Sequence, residues 1–312
     1  MTENWPAIPY GAWRESCTTL QLFSQVVGKY RIAHSPWLNH SWHATLYPTA
    51  RGFSTGPVFD NGRTIELLLD LVDHRLIGQS SGGKVEARAL GPTTMAAFFA
   101  QTKEIIAALG GTPKLNGKPN EIPDGVPFAQ DYATRPYDPD AVNRFFRAVL
   151  SVTEVFQLFR TGYLGKVSPV HLFWGSFDLA VTRFSGRRAP SHPGGIPALP
   201  DTITREAYSH EVSSAGFWAG GGGIDEPAFY SYAYPAPEGF AASAVQPDAA
   251  YFHPTLGEFI LPYEAVRAAV DPQATLLAFL QSTYAAAANN AGWDRAALDC
   301  AIGKPREPRA IG

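Results

Sequence analysis

Between residues 139 and 163 the apolar side chains Val142, Phe145, Phe146, Val149, Val152, Phe156, Phe159 and Tyr163 recur at helical spacing. That pattern predicts one long amphipathic helix packed on a sheet. Asp138-Pro139 starts it with a cap residue and then a proline at the first helical position. Similar reasoning predicts helices over 12–27, ending at Gly28, and over 93–109, closed by Gly110-Gly111. Further helices are expected at 263–269, 272–290 and 294–300. Runs rich in Val, Ile, Leu, Thr and Tyr predict strands at 29–34, 42–50, 64–72, 74–79 and 84–90. A second group is predicted at 167–173, 176–184, 206–217, 227–234, 249–253 and 257–261. Residues 1–11 read as an ordered arm, and 185–203 as a long loop rich in Pro, Gly and Arg.

The two halves share landmarks in the same order. Gly28-Lys29 and then His34 are matched by Gly165-Lys166 and then His171, at one common spacing. Gln-Leu-Phe precedes each Gly-Lys; further on, His74 and Gly78 match His253 and Gly257, and Phe99 to Thr102 matches Phe279 to Ser282. The expected fold class is therefore α+β: two tandem, internally duplicated units, each an antiparallel sheet backed by helices, packed about a pseudo-twofold axis. The expected division is an N-terminal unit over 1–110, a linker over 111–137, a C-terminal unit with long loops over 138–303 and a frayed tail over 304–312. The linker is assigned from its five prolines and three glycines and its lack of periodicity.

Composition narrows the function. Of 312 residues, 45% are apolar and 17% charged, which is a globular balance with ample core. A formal net charge of -3 argues against a generally basic nucleic-acid or polybasic membrane binder. Two cysteines, Cys17 and Cys300, supply no disulfide framework and favour a reducing compartment. No apolar run is long enough for a membrane span, and the N-terminus lacks a basic-then-apolar signal pattern. The expectation is a cytoplasmic protein without nucleic-acid or membrane partners. No pattern assigns a cofactor or an oligomeric state.

The densest polar text lies in the second half, over 167–187 and 206–223. Strand alternation places Ser176, Asp178, Ala180 and Thr182 on one face, a small and polar surface with room for a ligand. In the second segment Glu211 shares a face with Ser209 and Ser213, and His210 shares the opposite face with Tyr208, Val212 and Ser214. If the small polar faces share a cavity, Asp178 and Glu211 form a carboxylate pair, one pKa raised by the other. The candidate site is His171, Asp178, Arg183, His210 and Glu211: a carboxylate as general base, His210 as acid or shuttle, Arg183 as anion anchor. The opposing expectation is that Asp178 pairs with Arg183, Arg187 or Lys166 in structural salt bridges.

Other chemistries have weaker footing. His34, His40 and His43 cluster, and His34, His74, His171 and His253 fall at related positions, but no contiguous metal motif is present and no metal ligand is assigned. Ser176 lacks the second glycine of a nucleophile elbow. Lys29 and Lys166 suit either a Schiff base or a solvated helix terminus. Gly220 to Gly223 are not followed by Lys-Ser/Thr and suggest a mobile loop beside Trp218, not a phosphate cradle.

The strings SPVHLFWGSFDLAVTRFSGR and REAYSHEVSSAGFW resemble the domain-of-unknown-function family 5996. So do WPAIPYGAWRESCTTLQLFSQVVGKYRIA, SWHATLYPTARGFSTGP, GEFILPY and LLAFLQSTY, a resemblance running from about Trp5 to about Trp293. It implies a bacterial source and carries over no reaction, cofactor, partner or functional residue. The expected function is thus a small-molecule site in the second half, in an acid/base or metal-assisted enzyme. The alternative is a non-catalytic binding protein with an aromatic-lined cavity for an apolar ligand; a third reading is a scaffold using the linker and Pro-rich loops.

Overall fold

The computed structural model describes residues 4–196 and 198–309. Helix α1 (Tyr10–His34) leads into an antiparallel sheet of β1 (Tyr47–Pro48), β2 (Gly52–Ser54), β3 (Val58–Asp60), β4 (Arg63–Asp70), β5 (Arg75–Ser80) and β6 (Val85–Ala89). β7 (Thr93–Thr94) precedes α2 (Met95–Ala108), and β8 (Thr134–Arg135) pairs back with β7 before α3 (Pro139–Thr161). A second antiparallel sheet follows, built from β9 (His171–Phe173), β10 (Asp178–Arg188), β11 (His210–Trp218), β12 (Ala228–Tyr234), β13 (Tyr251–His253) and β14 (Glu258–Pro262). Helix α4 (Asp201–Ala207) lies between β10 and β11; α5 (Tyr263–Arg267), α6 (Pro272–Asn290) and α7 (Arg295–Leu298) close the chain. The fold is mixed α and β with antiparallel sheets. Among the described residues no helix is long and apolar enough to cross a membrane.

Local chemistry explains the starts of three long helices. Asp138 accepts hydrogen bonds from the backbone N–H groups of Asp140 and Ala141 at 3.0 and 3.1 Å, capping α3 as its sequence predicts. Thr94 and Asp271 do the same for α2 and α6. Gly28 does not end α1, and the strand expected at 29–34 is its last turns. A Cβ at Gly28 would lie 2.2 Å from Trp174 Nε1, so this glycine lets an indole pack against the helix, and packing overrides weak intrinsic propensity. The strand expected at 42–50 shrinks to β1, preceded by a single 3₁₀ turn at Asn39–Ser41. β10 runs past Phe184 through a bulge to Arg188, and α4 replaces the start of the strand expected from 206.

The order helix, sheet, helix occurs twice, in α1 to α2 and in α3 to α6. The Gly-Lys landmarks, however, occupy different structures: Gly28-Lys29 lies inside α1, whereas Gly165-Lys166 follows α3. One apolar core draws on both halves. Phe23 stacks on Phe98 at 3.9 Å, and Phe145 meets Trp13, Phe177 and Phe217 at 5.0 to 6.3 Å between ring centres. Leu46 and Leu172 exchange backbone hydrogen bonds of 3.0 and 2.8 Å, tying the segment before β1 to β9. The N-terminal arm packs as well: Trp5 is buried, and Tyr263 Oη donates to Pro6 O at 3.0 Å. Residues 1–3 of that arm, 310–312 of the expected tail and Pro197 in the expected loop lie outside the described residues.

Candidate functional site

β10 pairs with β11 and β11 with β12 so that Ala180 faces Gly216 and Gly216 faces Tyr230. Cross-strand partners share a face, so alternation sorts this sheet into two surfaces. Leu179, Val181, Phe217 and Phe229 join the common core. On the other surface Asp178, Ala180, Thr182, Ser214, Trp218, Tyr230, Tyr232 and Glu258 line a cavity of about 510 Å³. The face predicted from alternation at Ser176, Asp178, Ala180 and Thr182 is this floor.

Four other segments enclose the cavity. Helix α1 supplies Lys29, the 3₁₀ turn and its flanks supply Trp37, His40 and Trp42, and the stretch after α2 supplies Asn116, Asn120 and Glu121. Ile196, Leu199, Ile203 and Tyr208, in and around α4, form an apolar cover. His40 fastens that cover: its backbone N–H donates to Glu206 Oε2 at 3.0 Å, and its Nδ1 bonds Ala207 O at 2.7 Å. A carbonyl can only accept, so Nδ1 carries the proton, leaving Nε2 to accept from Lys166 Nζ at 2.8 Å.

Asp178 is buried, its carboxylate accepting hydrogen bonds from Ser176 Oγ and Tyr230 Oη. Tyr230 reaches it from β12 by laying its ring across β11 at Gly216, where a Cβ would sit 2.3 Å from the phenol. Burial pushes the Asp178 carboxyl up, while the two hydrogen bonds favour its charged form. Glu258 and Glu121 come from different segments toward the same carboxylate. Burial and, after it, the Asp178 charge push Glu258 up to about 8 and Glu121 up to about 7. Glu258 Oε2 is closed off from solvent and has no hydrogen-bond partner. Beside them Tyr208 and Tyr232 hold their hydroxyls 2.7 Å apart, and Trp218 packs on Tyr230 at 4.6 Å. Burial pushes the Tyr208 phenol up to about 12, so it remains a neutral donor at ordinary pH.

Lys29 is the buried cation of the cavity lining. Its Nζ donates to Asn120 Oδ1 and stands 5.3 Å over the Trp174 ring, and burial draws its pKa down to about 8. Among the described residues no three His, Cys, Asp or Glu side chains converge to hold a metal ion. His34, His74 and His253 instead have separate partners in Asp60, Tyr137 and the Leu256 backbone.

Of the five residues expected to form the site, Asp178 lines the cavity and the others do not. His171 is fully buried with neither ring nitrogen bonded to protein, and burial draws it down to about 3, a neutral imidazole. Arg183 lies on the core side, its guanidinium 3.6, 4.4 and 4.9 Å from the rings of Phe159, Tyr284 and Tyr163, and it donates to Phe159 O at 2.5 Å. Glu211 pairs with Arg187 at 2.7 Å and accepts from Ser185 at 2.8 Å, so it forms no carboxylate pair with Asp178. His210 sits beside the site, its ring 6.0 Å from that of His40 and its Nδ1 3.1 Å from Ser209 Oγ. Nor does Asp178 form a salt bridge with Arg183, Arg187 or Lys166; its partners are a serine and a tyrosine.

Sequence reasoning missed Glu258, Glu121, Tyr230 and Tyr232, and it weighed Lys29 only as a Schiff-base or solvated helix-terminus lysine, whereas Lys29 is buried in the cavity lining. The run AFYSYAY of β12 alternates Tyr230 and Tyr232 against Phe229 and Ser231, a usable signal. Glu258 opens an otherwise apolar strand, which is another. Glu121 lies in the irregular linker, where spacing carries no such signal. A second, more open depression of about 800 Å³ lies between α3 and residues 303–309. Its carboxylates, Glu154 and Glu307, are exposed and in ordinary solvent.

The chain belongs to the family of unknown function DUF5996, whose profile matches residues 5–300. No curated protein and no solved structure matches it.

Proposed function

We propose that the protein binds a small molecule in the cavity over β10, β11, β12 and β14 and performs acid–base chemistry on it. The observation that carries this reading is the convergence of Asp178, Glu258 and Glu121 in one enclosed, aromatic-lined space, with one Glu258 oxygen left without a partner. Burial pushes all three carboxyls up; at Asp178 the hydrogen bonds from Ser176 and Tyr230 oppose that push, and Glu258 and Glu121 have the Asp178 charge adding to it. Carboxyl groups that crowd one dry site and differ in their hydrogen-bond donors can divide the roles of base and acid. Glu258 or Glu121 donates a proton near neutral pH, Asp178 holds or accepts one, and Tyr208 and Tyr232 position polar atoms of the ligand. The apolar cover around α4 keeps water out and strengthens each of these interactions.

The aromatic lining also suits a non-catalytic binding protein, and one experiment separates the two. A metabolite library is screened by thermal shift against the wild-type protein and against Ala180→Phe, which fills the cavity floor. Hits that stabilise only the wild type are incubated with wild type and Glu258→Gln, and conversion is followed by mass spectrometry. Conversion by wild type and not by Glu258→Gln supports the enzyme reading. Saturable binding without conversion in either leaves a binding protein. Hits indifferent to Ala180→Phe remove the cavity from both. The repeated helix–sheet–helix order supports a duplication of two units about a pseudo-twofold axis. A cytoplasmic setting, without nucleic-acid or membrane partners, fits the near-neutral charge.

A further inference from the structure

The cavity has more acidic than basic side chains available to a ligand, and a cation among them favours their ionised forms. Asp178, Glu258 and Glu121 face it, whereas the Lys29 ammonium is already engaged by Asn120 Oδ1 and the Trp174 ring. Arg183 and Arg187, the nearest arginines along β10, are committed elsewhere, to the Phe159 carbonyl and to Glu211. Glu258 Oε2 is sealed from solvent with nothing donating to it. A buried acceptor without a donor is costly, and a ligand that supplies one recovers that cost. The rings nearest this end, Trp218, Tyr230 and Tyr232, are electron-rich faces; Trp218 and Tyr230 pack at 4.6 Å, Tyr230 and Tyr232 at 6.0 Å. Carboxylates flanked by aromatic faces are the chemistry that recognises an ammonium group.

We propose that the cavity takes an organic ammonium cation, its charged head between Asp178 and Glu258 beside the Tyr230 and Trp218 rings and its apolar body against the Trp37, Trp42 and Ile203 wall. This rests on the reading of the cavity as a ligand site. A neutral or anionic ligand of the same shape leaves the carboxyl groups without the counter-charge that this lining lacks. An ammonium supplies that charge together with a donor for Glu258 Oε2.

The test uses three probes of one shape: 2-phenylethylammonium, 2-phenylethanol and phenylacetate. Each is titrated into the intact protein, followed by tryptophan fluorescence, since Trp37, Trp42, Trp174 and Trp218 all line the cavity, and by calorimetry. The expected result is an ammonium affinity about tenfold above that of the alcohol, the worth of one charge-assisted contact in a dry site, with phenylacetate weakest. Glu258→Gln, which preserves shape, reduces that preference to about threefold or less while the alcohol still binds. Alcohol or phenylacetate binding as tightly as the ammonium overturns the cation assignment and leaves the cavity as a ligand site. If no probe perturbs the tryptophans or evolves heat, the cation assignment and the cavity reading both fall.

Discussion

Replacing Glu258 by glutamine should stabilise the protein increasingly as pH rises. In the unfolded chain Glu258 ionises near 4.5; in the folded protein burial and Asp178 hold it to about 8. Between those values the folded state keeps a proton that the unfolded state releases, so stability is fully present below 4.5 and declines as pH rises toward 8. Each pH unit in that interval costs about 1.4 kcal/mol, which reaches about 3 kcal/mol at neutrality as an order of magnitude. Glutamine cannot ionise and escapes this loss. For a chain of 312 residues, 3 kcal/mol corresponds to about 5 °C in Tm. Any penalty from the new amide donors is independent of pH and shifts both ends equally. The assay is differential scanning calorimetry of wild type and Glu258→Gln at a series of pH values from about 5 to about 8. The difference in Tm, variant minus wild type, should grow by about 5 °C across that range. A difference that stays flat refutes the reasoning, because Glu258 would then titrate as a solvated side chain.

Gly28→Ala should destabilise, although alanine ordinarily gains about 1 kcal/mol over glycine inside a helix. The added Cβ would meet the Trp174 indole at 2.2 Å, and overpacking of this kind costs about 1–3 kcal/mol; urea unfolding gives the sign. Tyr230→Phe leaves a buried Asp178 oxygen without its donor and should cost about 1–3 kcal/mol at neutral pH in the same measurement, with a smaller deficit where Asp178 is protonated. Arg183→Lys should lower Tm by several degrees, because a point-charge ammonium cannot span three rings and the Phe159 carbonyl as a planar guanidinium does.

Where local chemistry and periodicity agree, sequence and structure coincide. The Asp138-Pro139 start of α3, the apolar stripe that follows it and the alternating face of β10 all appear as expected. The departures have tertiary causes. Gly28 reads as a helix stop until Trp174 is seen to occupy the space a side chain would need. Glu211 reads as a partner for Asp178, but it lies on the opposite face of β11, where Arg187 binds it. Arg183 reads as an anion anchor, yet three aromatic rings from α3, α6 and the segment after α3 enclose it in the core. The missed half of the site is long-range in origin. Glu121 comes toward Asp178 from the linker, Tyr230 reaches it across a glycine on a neighbouring strand, and Lys29 joins the cavity lining from inside α1. No local pattern encodes such distances along the chain.

Infrared titration of the carboxyl groups tests the acid–base cavity most directly. The carbonyl stretch of a protonated carboxylic acid is followed by difference spectroscopy from about pH 5.5 to about 9.5, in wild type, Glu258→Gln and Glu121→Gln. The account predicts a protonated-acid band that survives well above the ordinary glutamate range and vanishes with midpoints near 7 and 8, each variant removing part of it. A spectrum with no such band above about pH 5.5 would mean that Glu121 and Glu258 are ordinary solvated carboxylates, and would contradict the account.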